Sequence, residues 1–333
     1  MKASIKQISE MTGYSPATIS NALNRKKGVN SETAQEVFRV AKEIGYIQEN
    51  DIKKIVFVMY KSTGLIIEDT PFFSLMIDGF QNECRNSGYD MVISYLDKRK
   101  DDYETLLKSI INDPDSAIVL LGSELMGNDF DDFRDAKGLL MTLDYWSDDM
   151  SRNGVLINNE DSARKAVDYL IEHGHKDIGY LKGSFRIKAF RSRAVGYRIS
   201  MNKHNLPIDK EYTVTLSTTM DGAYKDMLAY LEKKPKLPSA YFADNDMIAF
   251  GAMKALQESG YKIPEDVSII GFDDLPYCEI VSPRLTSLRV PKQEMGRMAV
   301  RRMLEMIKYG DDVRAKTQVC TEFIERDSVR TIQ

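Results

Sequence analysis

The residues Ser4-Ile-Lys-Gln-Ile-Ser-Glu-Met-Thr-Gly-Tyr-Ser-Pro-Ala-Thr-Ile-Ser-Asn-Ala-Leu-Asn24 constrain the front of this chain more tightly than any other stretch. Ser4 and Gln7 have the spacing of a capping box, in which side chains and backbone at a helix start exchange hydrogen bonds. Ile5, Ile8 and Met11 recur behind it as one apolar face, and Gly13 offers the left-handed backbone that a tight turn needs. Ser15 followed by Pro16 reads as the N-cap and first residue of a second helix. That helix turns Ile19, Ala22 and Leu23 inward and leaves Pro16, Ala17, Thr18, Ser20 and Asn21 outward. A third helix from about Ser31 carries Val37, Val40, Ala41 and Ile44 at helical spacing. Three short helices around one small core, with one helix turned outward, have the layout of a helix-turn-helix that reads a major groove.

The net charge of −4 runs against DNA binding until the chain is divided. Residues 1–54 hold nine basic side chains against six acidic ones, so the remainder carries −7. The basic excess gathers at Arg25-Lys26-Lys27, directly after the outward helix, where the phosphates of a bound duplex would lie. An excess of three charges is modest. One head alone is expected to bind weakly, and pairing of two heads to supply much of the affinity.

From Lys54 onward, strand-like runs alternate with helical patterns. The strands read as 55–60, 91–95, 117–121, 139–143 and 155–157, then 178–181, 212–216, 239–243 and 267–271. Helical patterns fall at 72–86, 101–112, 161–173, 190–204, 221–233 and 247–259. Continuous apolar runs such as Ile55-Val-Phe-Val-Met-Tyr60 suit strands buried on both faces. Two such sets in tandem argue for two doubly wound α/β lobes. At 333 residues, 43% of them hydrophobic, the chain has ample material for these cores.

Several classes are disfavoured. No run of 18 apolar residues exists to span a membrane, and the chain opens on a polar helix rather than a signal-type apolar segment. Cys84, Cys278 and Cys320 lack metal-site spacing and read as buried small hydrophobes in a reducing compartment, so a cytoplasmic protein is expected. There is no dinucleotide-binding glycine fingerprint, P-loop, nucleophile elbow or His-Glu-x-x-His. No enzyme activity, cofactor or metal is expected.

The N-terminal segment resembles the DNA-binding head of the lactose-repressor/galactose-repressor (LacI/GalR) family. Ile5, Ile8, Gly13, Ser15, Thr18, Ile19, Ser20, Leu23 and Asn24 match that family's pattern, followed by Val29, Ser31, Thr33, Val37, Ala41, Ile44, Gly45 and Tyr46. Further matches run through Gly174-His-Lys-Asp-Ile178, Arg193-Ala-Val-Gly-Tyr197, Ala243-Asp-Asn-Asp-Met247, Ser268-Ile-Ile-Gly-Phe-Asp-Asp274 and Arg326-Asp-Ser328. The resemblance implies an all-α helix-turn-helix head at 1–46, a shortened linker at 47–54, and at 55–333 a two-lobed α/β sensor core like a periplasmic binding protein. It places lobe 1 at about 55–157 and 290–318, and lobe 2 at about 158–289 and 319–333. It implies a homodimeric regulator, a repressor of carbohydrate-utilisation genes, that binds a palindromic double-stranded operator and a small-molecule effector. The DNA contacts implied are Ser15, Pro16, Ala17, Thr18, Ser20, Asn21, Asn24, Lys26, Lys27, Ser31 and Thr33.

Open parallel sheets bind ligands beyond the carboxyl ends of their strands. Asp144, Arg193, Asn245 and Asp273 match ligand-contacting places in the family's motifs, and carboxylate, guanidinium and amide suit the hydroxyls of a sugar. Tyr60, Phe73 and Trp146 are the flat side chains expected to wall such a ligand. Each has a plainer alternative. Strand-end aspartates also cap turns, a helix arginine also pairs with a neighbouring acid, and aromatics also fill cores. Asp246 reads as the N-cap of the helix near Met247. A purine stacked on the aromatics is the competing effector, and a sugar-binding or assembly protein without DNA function is the competing class.

One departure stands out. The family's hinge, with its alanine-arginine pair and wedge leucine, is absent between Tyr46 and Ile55, so little or no leucine-driven kinking of DNA is expected. At the recognition helix Asn21 replaces the family's frequent arginine, and asparagine pairs best with adenine. Asn21→Ala is expected to relax base choice at one position per half-site, whereas Lys27→Ala weakens binding to all sequences alike, as binding to a panel of operator variants will report.

Overall fold

The computed structural model describes residues 3–23, 29–46, 52, 54–68, 70–148 and 150–332. Its head consists of α1 (Ile5–Thr12), α2 (Pro16–Leu23) and α3 (Ser31–Glu43). The capping box forms: the Gln7 amide donates to Ser4 Oγ, and the Ser4 amide to Gln7 Oε1. Gly13 closes α1 at φ +73°. Ile8, Ile19, Ala22, Leu23, Val37, Val40 and Ala41 form the buried core of the head. Met11 departs from the expected inward face and is half exposed, because it lies on the far side of Ile8 from Ile5, away from the partner helices.

The α2 carbonyl of Leu23 accepts from the Lys308 ammonium and from the Tyr309 hydroxyl (3.3 Å), while Lys308 sits over the Phe38 ring at 5.0 Å. A cation at a helix carboxyl end is favourable against the helix dipole. The expected hinge departure falls on residues 47–54, of which 47–51 and 53 lie outside the described residues.

The core begins with β1 (Lys54–Lys61), α4 (Phe72–Asn86), β2 (Asp90–Asp97), α5 (Tyr103–Ile111), β3 (Ala117–Leu121), β4 (Leu139–Leu143) and β5 (Asn153–Ile157). It continues with α6 (Asn159–Glu172), β6 (Ile178–Gly183), α7 (Lys188–Lys203), β7 (Thr213–Leu216), α8 (Met220–Leu231), β8 (Ala240–Ala243), α9 (Asp246–Glu258) and β9 (Ser268–Ile270). The chain closes with β10 (Ser287–Arg289), α10 (Lys292–Tyr309), β11 (Lys316–Val319) and β12 (Glu322–Ile324). The first sheet is parallel, ordered β11-β5-β4-β3-β1-β2, and the second is parallel, ordered β7-β6-β8-β9. The chain leaves the first sheet after β5, returns through α10 and β11, and ends beside the second. The antiparallel pair β10–β12 lies at two of these passages, with Leu288 opposite Phe323.

The first sheet is covered on both faces, as its unbroken apolar strands require. Phe57 and Met59 point to one core, Val58 and Tyr60 to another with Tyr103, Phe133 and Leu140. Two of the three cysteines, Cys84 and Cys278, are buried as expected; Cys320, between β11 and β12, is exposed. No helix among the described residues is long and apolar enough to cross a membrane.

Lobe 1 is closed by α10 packed on α4. The backbones meet so closely that a Cβ on Gly79 would stand 2.0 Å from the Gln293 carbonyl oxygen, and one on Gly296 2.3 Å from that of Met76. Gly79→Ala must push the two helices apart. It is expected to lower unfolding free energy by about 1–3 kcal/mol, read by urea denaturation.

Candidate functional site

The carboxyl ends of both parallel sheets face one cleft, and the residues there come from five elements. Asp144 follows β4 with φ +55°, and Asp273 follows β9 with φ +112°. Phe73 lies in the first turn of α4, Arg193 one turn into α7, and Asn245 is the N-cap of α9, accepting from the Ile248 amide at 3.0 Å. Phe73, Asp144, Arg193, Asn245 and Asp273 line one narrow cavity of about 30 Å³, together with Ile66, Thr70, Phe72, Ile157, Ile187, Ala189 and Phe190. Asp144 and Ala189 also belong to the adjoining, wider cleft of about 270 Å³, whose wall includes Trp146, Ser123, Asn158, Lys188 and Gln318. Six of the seven expected ligand contacts are therefore brought together.

Tyr60 is the exception. It is fully buried in the second core, edge-on to Tyr103 and Phe133 at 6.5 and 6.1 Å. Strand alternation sends its ring to the far face of β1, away from the cleft. Asp246 is a second correction. The cap is Asn245, and the fully buried Asp246 instead accepts from the Leu275 amide (2.8 Å), Ser287 Oγ (2.7 Å) and Cys278 Sγ (3.2 Å), tying β9 and β10 to α9.

Arg193 is the centre of the site. Its Nε donates to Asn159 Oδ1 (2.8 Å), Nη1 to the Asp244 carbonyl and Nη2 to Asp273 Oδ1 (3.5 Å). The guanidinium lies 3.5 Å from the centre of the Phe272 ring. Burial raises the Asp273 carboxyl above its ordinary range, against the pull of Arg193 and Lys292. Burial together with Asp273 likewise raises Asp246. Lys292, buried and held by the Asp273, Asp274 (3.2 Å) and Val290 (3.4 Å) carbonyls, is lowered by desolvation, which its acidic neighbours oppose. The lobes touch through polar groups at the rim: Lys188 on α7 donates to the Trp146 carbonyl (2.9 Å) and Asp148 (3.0 Å).

One residue the sequence reading missed holds the cleft wall. Glu124, fully buried, receives the amides of Ser62 (3.0 Å), Thr63 (2.9 Å) and Gly64 (2.8 Å) on Oε2 and those of Ile66 (2.9 Å) and Ile67 (3.1 Å) on Oε1. The loop it gathers carries Ile66 into the cavity, and its Leu65 carbonyl takes a hydrogen bond from Thr218 of the other lobe (3.2 Å). The position of Gly122-Ser-Glu124 just past β3 was the available signal, since that is where an open sheet builds sites.

On the head, Ser15, Pro16 and Ala17 are exposed and Thr18, Ser20 and Asn21 half-buried, forming the outer face of α2. Ser15 Oγ accepts from the Thr18 amide (3.1 Å) as the cap that the Ser-Pro pair implied. Thr33 lies in the first turn of α3, its amide bonded to Asn30 Oδ1 (2.7 Å). Ser31 opens α3, but its side chain, like Asn24, Lys26 and Lys27 entirely, lies outside the described residues.

A small helical head joined to a two-lobed core with a polar, aromatic-walled cleft is the architecture that the comparisons also find. Residues 167–329 match the model of the periplasmic binding protein-like domain. Over 98% of both chains, this one is 27% identical to the probable HTH-type transcriptional repressor ExuR of Bacillus subtilis strain 168. It is 28% identical, over 99% of both, to the HTH-type transcriptional repressor PurR of Vibrio parahaemolyticus. The structure of the transcriptional regulator CelR–cellobiose complex superposes with a TM-score of 0.73 at 22% identity, covering 98% of this chain and 99% of that one. In sequence and in fold the chain is similar to transcriptional regulators of the lactose-repressor/galactose-repressor kind.

Asp144 titrates where the cleft closes. Burial, opposed by the Ser123 hydroxyl (2.5 Å) and Arg193, pushes its carboxyl up to about 6. The folded chain then binds this proton more tightly than the unfolded one, so the group's contribution to stability grows as pH falls through 6 and is lost as pH rises. In urea titrations across that range, Asp144→Asn is expected to remove this component, so that the stability difference between variant and wild type shrinks on acidification.

Proposed function

We propose that this chain is a ligand-responsive repressor that grips a palindromic operator as a homodimer and takes a sugar in its interlobe cleft. In this reading residues 1–46 are the DNA-binding head, 47–54 a short tether, and 55–333 the sensor, divided between lobes near 157, 290 and 318. The observation that carries it is the convergence of Asp144, Arg193, Asn245 and Asp273 with Phe73, Phe190 and Trp146 on one cleft. Carboxylates accept sugar hydroxyls, the guanidinium and amide donate to them, and flat rings cover the apolar C–H faces. A ligand touching both lobes at Asp144 and Asp273 stabilises one relative placement of the lobes, and through a dimer one separation of the heads.

A homodimer is supported by exposed apolar surface on one side. Val92, Ile93 and Tyr95 on the edge strand β2 are exposed, as are Met220, Tyr277 and Ile280 beside a groove shared with Pro71 and Phe250. Lys61, over the Tyr95 ring at 5.6 Å and paired with Glu68 at 3.0 Å, joins the two patches. Exposed apolar side chains grouped in this way suit an interface.

Thermal-shift screening of mono- and disaccharides against purine bases tests the effector. A sugar is expected to raise the melting temperature, and Asp144→Asn to weaken its binding tenfold or more, the scale of a hydrogen bond to a charged group. A response to purines alone would transfer the cleft to a stacked base. Binding to duplex DNA should fall steeply with salt. A flat salt dependence would remove the repressor reading.

A further inference from the structure

Away from the interlobe cleft, on the lobe that does not carry the head, a second cavity of about 470 Å³ opens between α7 and the β6–β7 edge of the second sheet. The same helical face of α7 supplies Arg191, Ala194, Val195 and Arg198, at i, i+3, i+4 and i+7. Tyr180 and Lys182 share one face of β6, and Thr213 opens β7. Arg186 and Ile208 complete the rim. Four cations line this cavity and no carboxylate does.

Only one of the four is neutralised. Arg186 is committed to Asp244 and to the Phe190 (2.7 Å) and Gly183 (3.3 Å) carbonyls. Arg191 spends its Nε on the Arg186 carbonyl (3.1 Å) and directs no other hydrogen bond into the protein. Lys182, half-buried, and Arg198, exposed, have no hydrogen-bond or ion-pair partner among the described residues. Asp209 lies close enough to the Tyr197 hydroxyl to help burial raise it, but its Oδ1 is turned to the Glu211 amide (2.9 Å). Three uncompensated positive charges around one concavity focus the field on whatever enters it. Apart from Thr213, the rest of the wall is apolar or aromatic: Ala194, Val195, Ile208 and the stacked rings of Tyr180 and Tyr197, 5.2 Å apart.

We propose that this cavity is a second binding site, for a small organic phosphate, with the phosphoryl oxygens held by Lys182, Arg191 and Arg198 and the carbon skeleton against Ala194, Val195 and Ile208. A divalent phosphate monoester supplies both the charge that these cations lack and the apolar body that the wall accepts. A bare inorganic anion would use only half of the site.

Isothermal titration of the full-length protein at low salt, with phenyl phosphate as probe and phenol and inorganic phosphate as arms, tests this. Phenyl phosphate is expected to bind with a dissociation constant below about 1 mM, more tightly than either arm. Arg198→Glu, on the exposed face, and the double variant Lys182→Glu/Arg198→Glu should each weaken it at least tenfold. Asp144→Asn in the cleft should leave it unchanged, which separates this site from the proposed sugar site. Binding no tighter than that of phenol, or binding undiminished in Arg198→Glu, would overturn the proposal.

Discussion

A buried guanidinium must be surrounded by acceptors or it unfolds its own site, and Arg193 sets that requirement for the whole sensor core. Its three donor directions are met by the start of α6, the end of β8 and the loop after β9, and its flat face by Phe272. Each of these partners is in turn fixed. Asn159 begins α6, Asp244 is shared with Tyr180, Arg186 and the Gly183 amide (2.7 Å), and Asp273 is backed by Lys292. The charge is therefore a structural keystone of lobe 2 that also lines the cleft.

Backbone strain gathers at the same place. Of the five non-glycine residues with positive φ among those described, Asp144, Asp273 and Asp274 stand at the strand ends around the cleft. Such conformations cost of order 1–3 kcal/mol each and persist only where surroundings over-determine them. Here they are held by side chains. Ser123 bonds Asp144, Arg193 pairs with Asp273, and Asp274 is clamped between Arg289 and Arg326, each at 2.7 Å. Glu124 performs the matching task for the loop after β1 by standing in for an anion among five backbone amides.

Local signals carried much of this into the sequence. The capping box at Ser4, the Ser-Pro start of α2 and the unbroken apolar strands 117–121 and 139–143 are set by neighbours within a few residues, and these elements form where expected. The strands β10 and β12 were not legible: each has three residues, and each exists because the other lies opposite it after a long excursion through α10. Likewise α10 hides its apolar face of Met295, Ala299, Val300, Met303 and Met306 among many charges. Within the site, identity at a strand end was readable but direction was not. Tyr60 ends a strand as Asp144 follows one, yet the pleat turns the tyrosine into the far core. The cap of α9 fell to Asn245 rather than Asp246 for a similar reason, since which of two adjacent acceptors caps a helix depends on the donors that Leu275, Cys278 and Ser287 bring from elsewhere.

Trp146 is the sole tryptophan, a residue 41% exposed at the mouth of the cleft, with the Lys316 ammonium 5.0 Å from the centre of its ring. Its carbonyl is held by Lys188 from the opposite lobe. All indole fluorescence of the chain therefore originates at one place, where an arriving molecule or a shift of the lobes changes both solvent contact and the nearby charge. The protein carries a native optical reporter of cleft occupancy, requiring no label and no engineered residue.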